Sequence, residues 1–421
     1  MARKNTPHLH AMKVSGLHGG RAKNRWFYSF IPFKVATGGS SVVIPLYVLA
    51  LGGSGADVGI ANAVSGFASM VGSVFWGNLS DRLLRRRVFI TLGFASVSAF
   101  LALFAITGSL TEFIVMNGIY AFFLATTTSI PVVLVLRSFR KREWNDGLGR
   151  FNEVGGWGWL LGLVIGLFMS AFLDIRAMFI VFAIINLPAA FLLARSVREA
   201  PVYVNRDSIK IKGHSAVQRI RQLPSGILHL PSTPDTLRSF YVASAMFWFS
   251  SGLFFSQAPV FLTLNGMERE AIYTMSIGNA LVSTLLYRRV GNMLNGRDPY
   301  TVLRWGLITR GLGVATMLGG TLVAPLAYVM AGVSWPLISL AGTSIVSELA
   351  PGKEKGREMG RYNFVNFSAL IAGNLGSGFI VNGVGFQGEW ILAAFMALSG
   401  LLPVMGSTIK NVERRGSVLR T

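Results

Sequence analysis

The chain alternates between long apolar stretches and short polar segments from residue 27 to residue 409. Each stretch has the roughly 20 mostly apolar residues that a helix needs to cross a ~30 Å hydrocarbon core. The pattern therefore predicts six membrane-spanning helices, a polar break, and six more. The first six cover 27–51, 58–79, 88–107, 112–136, 150–172 and 176–195. The second six cover 239–263, 271–290, 300–320, 323–347, 361–384 and 390–409.

The composition supports a membrane protein and excludes several other classes. The chain is 52% hydrophobic and 14% charged, whereas soluble domains carry about 25% charged residues. It has no Cys, which excludes disulfides, thiol catalysis and Cys-ligated metals. The net charge of +21 is scattered in short clusters between apolar stretches, which argues against a nucleic-acid-binding surface.

The basic residues are distributed unevenly between the two sides of the predicted membrane region. Nearly all of the 39 Lys and Arg residues lie in alternate polar segments; Arg176 and Arg269 lie in the other set, and Lys34 and Arg310 lie inside apolar stretches. Such a bias marks the cytoplasmic side, so both termini are predicted to be cytoplasmic. The opposite connections are short and carry acids: Asp57, Glu112, Asp174, Glu268, Glu270 and Glu389.

The predicted organisation has two bundles joined by a basic linker. Residues 1–25 form a polar tail without the apolar core of a signal peptide. The segments that follow are a six-helix bundle at 26–196, a cytoplasmic linker at 197–237, a second bundle at 238–409 and a tail at 410–421. Within the linker, Val217, Ile220 and Leu223 repeat at helical spacing, which predicts a short amphipathic helix on the membrane surface.

The two halves also resemble each other in sequence. Glu143, Gly149, Arg150, Asn152 and Gly162 recur 211 residues later as Glu354, Gly360, Arg361, Asn363 and Gly373. Arg25, Phe27, Tyr28 and Pro45 recur 213 to 214 residues later as Arg238, Phe240, Tyr241 and Pro259. A duplicated six-helix unit is typical of transporters, in which the substrate lies near the bilayer midplane where the repeats meet.

A motif between the second and third stretches points to one family. It reads Gly77-Asn78-Leu79-Ser80-Asp81-Arg82-Leu83-Leu84-Arg85-Arg86-Arg87. This resembles the most diagnostic motif of the major facilitator superfamily, although Leu84 stands where that family usually has a second Gly. The resemblance extends over nearly the whole chain through the twelve stretches, the duplication and the basic linker. It implies an all-α integral membrane fold, with twelve transmembrane helices in two pseudo-symmetric six-helix bundles.

The resemblance also implies a gate on the cytoplasmic side. Gly77 would allow close helix approach, and Asp81 would face the positive N-terminus of a helix that begins near Gly360. The arginines of the motif would pair with Glu354 or Glu358 only while that side is closed, which would bias the conformational equilibrium. Alternatively, these charges only anchor the topology. The residues assigned to the gate are Gly77, Asp81, Arg82, Arg85, Arg86, Glu143, Arg150, Glu354 and Arg361.

Ionisable groups inside membrane spans are functional candidates. Lys34 would attract an anionic group or exchange a proton, unless it extends toward the headgroups. Glu153 would carry a proton, or pair with Arg137 or Arg361 in the gate, whereas the resemblance places Arg310 outside the cavity. The solute or proton candidates are Lys34, Glu153, Asn152, Asn363, Asn366, Trp248 and Asn279. One or two rings of the aromatic run at 247–249 and 254–255 are expected to face the cavity.

The expected function is secondary transport of a small organic solute that is anionic, zwitterionic or neutral. No ATP-binding loop is present in the sequence, so an ion gradient, such as a proton gradient, would drive it. The expected protein is a monomer in the plasma membrane, without a cofactor, a metal, a nucleic-acid partner or enzymatic activity. One alternative is a drug–proton antiporter, favoured by the spacing of Gly149, Gly158, Gly162 and Gly166, although Leu163 and Leu167 depart from that motif. Another is a transporter-like receptor that binds its solute without flux.

Overall fold

The computed structural model describes residues 25–83, 85–138, 144–196, 235–350 and 355–409. Some side chains at helix ends, including those of Asp81 and Arg82, lie outside this description, as do the tails and nearly all of the linker with its predicted amphipathic helix. The described chain is helical and contains no strand. The helices are α1 Phe30–Ala50, α2 Gly55–Leu83, α3 Arg86–Phe104, α4 Leu110–Leu124, α5 Thr126–Ser138, α6 Trp144–Ser170, α7 Ile175–Ser196, α8 Asp235–Leu264, α9 Arg269–Leu294, α10 Pro299–Ala315, α11 Ala324–Leu349 and α12 Lys355–Ser399.

The number of membrane crossings is consistent with the predicted twelve. Nine helical segments among the described residues are long and apolar enough to cross a membrane. The last of them contains Gly385, whose φ of 73° breaks α12 into two arms, a conformation that glycine adopts without a Cβ clash. The two arms of α12 raise the number of crossings to ten. The more polar α9, with 26 residues, and α10 with the 3₁₀ turn that follows it supply the other two.

The predicted span 112–136 differs from the structure, because it is two helices that meet at Ala125. Three consecutive threonines after the break each donate a hydroxyl hydrogen to a carbonyl three residues back, and such bonds often bend helices. Pro131 follows within α5 and removes a helical N–H. The sequence therefore contained the cause of the break.

The helix ends define two faces of the molecule, because consecutive membrane crossings run in opposite directions. One face is the one at which α1 begins. We call it the basic face, because the helix ends at this face carry arginines such as Arg85, Arg195 and Arg288. We call the other the acidic face, since its connections carry Asp57 and Glu268 among other acids.

The sequence duplication corresponds to equivalent contacts in the two halves. In the first half, Gly162 of α6 lies against the Val35 carbonyl of α1, and a Cβ at this glycine would be 2.8 Å from the Gly39 nitrogen. In the second half, its repeat mate Gly373 lies against the Phe249 carbonyl of α8 and close to Gly252. The partners are again separated by 213 to 214 residues. The repeated glycines therefore make equivalent helix contacts in the two halves.

Large apolar side chains cover the molecular surface as well as the interior. The bulkiest of the fully buried ones are mainly aromatic, among them Phe94 and Phe113. Others are mostly exposed, such as Phe168 at 67% and Phe172 at 86%. A soluble monomer rarely exposes so much apolar surface, so this surface faces lipid.

Candidate functional site

A cavity of about 500 Å³ lies between the two halves. Its volume is in the usual range for small-molecule sites. On α2 the lining begins at Asn62, seven residues or about 10 Å from the end of the helix at the acidic face. The lining residues are Ser41, Val42, Ile44, Pro45, Asn62, Ser65, Gly66, Ser69, Asn117, Tyr120, Ala121, Leu124, Trp159 and Leu163 from the first half, and Ser251, Phe255, Pro259, Ile272, Ser276, Asn279, Tyr328, Trp335, Phe367, Leu370 and Asn374 from the second.

One wall of the cavity is a polar stripe on α2 and α4. Asn62, Ser65 and Ser69 lie on one face of α2, because they are spaced by three and four residues. Asn117 of α4 donates from Nδ2 to the Ser65 hydroxyl at 2.7 Å. Asn62 donates across to Ser256 of α8 at 3.4 Å. The stripe thus presents uncharged hydrogen-bonding groups and also links the halves.

The opposite wall is largely aromatic. The rings of Phe255 and Trp335 are perpendicular, with centroids 6.2 Å apart, and Trp248 packs behind Trp335 at 5.1 Å. Asn279 donates from Nδ2 to the carbonyl of Tyr328 at 2.9 Å, which fixes the amide at the cavity edge. These residues offer flat apolar surfaces beside a few polar groups.

Contacts between α2, α8 and α12 close the cavity toward the acidic face. Gln257 donates from Nε2 to the Gly55 carbonyl and to the Ser377 hydroxyl, both at 2.9 Å. Gly378 lies directly against the backbone of Ala56. On each helix these residues lie nearer the acidic face than most of the cavity lining does.

A second set of contacts joins α9 to the first half. The Tyr273 hydroxyl donates to the Gly39 carbonyl at 2.7 Å, and the Tyr273 ring covers Gly166. At the end of α9, Arg269 donates from Nη1 to the Leu173 carbonyl at 3.4 Å. In this conformation α9 is therefore joined to the first half at the acidic face through Arg269, and near the middle of α1 through Tyr273.

Lys34 lies one turn into α1, behind the cavity wall. Its stem packs on Gly155 and Gly158 of α6. Its Nζ is 5.6 Å from the Phe33 ring centroid and 6.0 Å from that of Trp159. Because Trp159 lines the cavity, the ammonium lies within 6.0 Å of a ring of the cavity wall.

Arg310 of α10 occupies a similar place in the second half. It is completely buried, and none of its three guanidinium nitrogens has a hydrogen-bond partner among the described residues. Its Cζ is 5.0 Å from the Phe247 ring, 5.2 Å from Phe255 and 5.9 Å from Phe254. Such cation–π contacts are worth about 0.5–2 kcal/mol. Again the charge lies beside a ring of the cavity wall, that of Phe255.

The comparison with known families decides what kind of protein this is. The family model described as the Major Facilitator Superfamily matches residues 29–338. The chain belongs to this superfamily. No curated protein matches the sequence.

Solved transporter structures share the fold of this superfamily member. A POT family transporter in complex with a thioalcohol-conjugated peptide aligns with a TM-score of 0.72 and 14% identity, covering 91% of this chain and 95% of that one. The nucleoside transporter NupG gives 0.67 and 13%, covering 91% and 97%. The inward-open xylose transporter XylE from E. coli gives 0.70 and 15%, covering 93% and 99%. At these identities the likeness defines the fold and leaves the solute open.

The structure brings only one predicted solute candidate, Asn279, into the cavity lining. Trp248 contacts the lining residue Trp335, and Asn366 accepts a hydrogen bond from Ser244 at 2.7 Å. Asn152, Glu153 and Asn363 are exposed side chains outside the lining, as Lys34 is outside it. Of the aromatic run, Phe255 faces the cavity as expected.

The structure describes the predicted gate in part. A Cβ at Gly77 would meet no described atom within 4 Å, so the expected close approach is not present in this conformation. Arg85 is exposed and Arg86 is buried. Arg361 pairs with Glu358 of its own helix at 2.8 Å, a partner that the repeat did not predict. Arg150 is exposed, and Glu143, Glu354 and the side chains of Asp81 and Arg82 lie outside the described residues.

Sequence reasoning missed the polar stripe of Asn62, Ser65, Ser69 and Asn117. The signal was present, since three polar residues at helical spacing in an otherwise apolar span mark one face of the helix. The search for ionisable groups passed over them because they carry no charge. Among the described residues, no group of three His, Asp or Glu side chains is arranged to hold a metal.

Proposed function

We propose that this superfamily member moves a small organic solute across the membrane by alternating access. The observation that carries the proposal is the cavity itself, which both halves line and which contacts between the halves close toward one face. Rocking of the halves would open these contacts and expose the same residues to the other side.

The positive-inside rule assigns the basic face to the cytoplasm. The described conformation is then closed toward the exterior, and both termini are cytoplasmic in a plasma-membrane protein that acts as a monomer. The gate around Asp81 would form in the opposite state, when the basic face closes. This agrees with the open space beside Gly77 here.

An ion gradient, such as that of protons, would supply the driving force. Glu153 and Lys34 are the proposed proton carriers, since they are ionisable groups on the cavity-bordering helices α6 and α1. The described cavity lining contains no carboxylate, which does not favour the drug–proton antiporter.

Counterflow in proteoliposomes tests transport directly. Vesicles loaded with a pool of unlabelled sugars, nucleosides, amino acids and carboxylates are diluted into each labelled solute in turn. A transporter accumulates its labelled solute transiently above the level of protein-free vesicles. Binding of a solute to the purified protein without any such accumulation would instead identify a receptor.

A further inference from the structure

The described cavity lining contains no Asp, Glu, Lys or Arg side chain. Its polar groups are five serines, four asparagines, two tyrosines and the indole N–H groups of Trp159 and Trp335. A buried ion needs an opposite charge or several converging hydrogen bonds to offset its lost hydration. The lining thus offers an ion no counter-charge.

The serine hydroxyls are oriented in one consistent way. Each of the five donates its hydrogen to a backbone carbonyl, at distances from 2.6 to 3.2 Å. A hydroxyl has one hydrogen and two acceptor lone pairs, so these groups present acceptors to the cavity. The serines are Ser41, Ser65, Ser69, Ser251 and Ser276.

This orientation disfavours an anion, because an anion requires donors. The asparagine amides add both acceptors and donors, but Asn62, Asn117 and Asn279 already direct an N–H to the protein. The acceptors suit a solute that brings its own O–H or N–H hydrogens.

The buried cations disfavour a positively charged solute. Lys34 and Arg310 each lie beside a ring of the cavity wall, at Trp159 and Phe255 respectively. Since they come from opposite halves, Arg310 and the protonated form of Lys34 would make the potential in the cavity positive from both sides. Without a carboxylate in the described lining, nothing there offsets this repulsion.

We propose that the cavity selects an uncharged solute with several hydroxyl or amide hydrogens on one edge and an apolar ring face on the other. The hydrogens would meet the polar stripe on α2 and α4, and the face would lie on the rings of Phe255 and Trp335. This inference rests on the proposed function, since it names the solute class of the same cavity.

The test uses probes that share one scaffold and differ in charge. Glucose, glucosamine and glucuronate form one set, and uridine with uridine monophosphate forms another. Binding to the purified full chain at pH 7 is measured by thermal stabilisation and by equilibrium titration. We expect the neutral member of at least one set to bind at least tenfold more tightly than its charged analogues. Stronger binding of a charged analogue, or no binding by either neutral member, would overturn the inference.

Adjacent serines on α8 provide a matched pair of variants. Ser251 lines the cavity, whereas Ser250 is buried outside the lining with no partner for its hydroxyl among the described residues. Ser251→Ala should weaken binding of the neutral probe roughly 2- to 10-fold, which is the effect of one neutral hydrogen bond. Ser250→Ala should leave the Kd of that probe within twofold of its value for the unsubstituted protein. Equal effects of the two variants would contradict the acceptor role.

Flux measurements separate this inference from the proposed function. The neutral probe that binds is tested by counterflow in proteoliposomes. Tight binding of the neutral probe without flux would contradict the proposed transport function but would still support the proposed solute class. Flux of a charged analogue in preference to the neutral one would contradict the solute class but would still support transport.

Discussion

Replacing Gly378 by alanine should open the acidic face. Gly378 of α12 and Ala56 of α2 belong to different halves and touch through their backbones. A Cβ at Gly378 would lie 2.7 Å from the Ala56 nitrogen and 2.9 Å from its Cβ. Neither atom is the end of a flexible side chain, so the methyl group fits only if the helices move apart.

The size of the effect follows from the cost of overpacking. An extra methylene-sized group in a close-packed interface costs about 1–3 kcal/mol. Because this contact joins the halves, the cost applies to the closed conformation and not to the one in which the halves separate at this face. The equilibrium should therefore shift by roughly 5- to 140-fold toward the open conformation, at about 1.4 kcal/mol for each factor of ten.

Spin-label distances across the acidic face measure this shift. The chain has no Cys, so two introduced cysteines can be labelled without a background signal. Thr111 and Gln387 are exposed positions near this face in different halves. We expect Gly378→Ala to increase the population of long distances in the label-to-label distribution.

The control is Gly383→Ala in the same helix, where a Cβ would meet nothing within 4 Å of it. This variant should keep the distribution of the unsubstituted protein. If a folded Gly378→Ala protein gave the same distances as Gly383→Ala, the contact at Gly378 would not hold this face closed.

Three further predictions concern stability and the basic face. Glu358→Gln should lower the free energy of unfolding by about 3–5 kcal/mol, because it removes one charge of the buried Glu358–Arg361 pair; an unchanged melting temperature would contradict this. Gly162→Ala should lower the free energy of unfolding by about 1–3 kcal/mol through overpacking, and so lower the melting temperature. Gly149→Ala places its methyl group in open space and should leave the melting temperature the same or higher. Asp81→Asn should increase label distances across the basic face if Asp81 belongs to a gate, and identical distances would exclude that role.

The fold could be predicted from the sequence because lipid imposes a simple rule. Each crossing must be a long apolar helix, and the basic segments between crossings set the topology. The repeat of Gly162 as Gly373 corresponds to equivalent helix contacts in the structure. The break at Ala125 was not predicted, because hydropathy does not depend on whether a threonine hydroxyl bonds to a carbonyl of the preceding turn.

The site was harder to predict because helix orientation decides which side chains face the cavity. Both sides of α1 are apolar and most of the helix is buried, so the sequence did not show whether the side that carries Lys34 faces the solute. Asn279 was found because it is a lone amide in its span. Trp159 and Trp335 gave no signal, since large aromatic residues of this chain lie both on the lipid-facing surface and in the interior.

The contacts that close the acidic face differ in kind from those that hold each half together. Within the halves, Gly162 and Gly373 bring backbones into direct contact over the middle of helices, and separating them would leave voids. Between the halves, hydrogen bonds from Gln257 and Arg269 to backbone carbonyls supply part of the closure. Each such bond contributes a net ~0.5–3 kcal/mol, because water replaces it on opening. A few bonds of this size are suited to two nearly balanced conformations, so the halves should move as rigid bodies around the uncharged cavity.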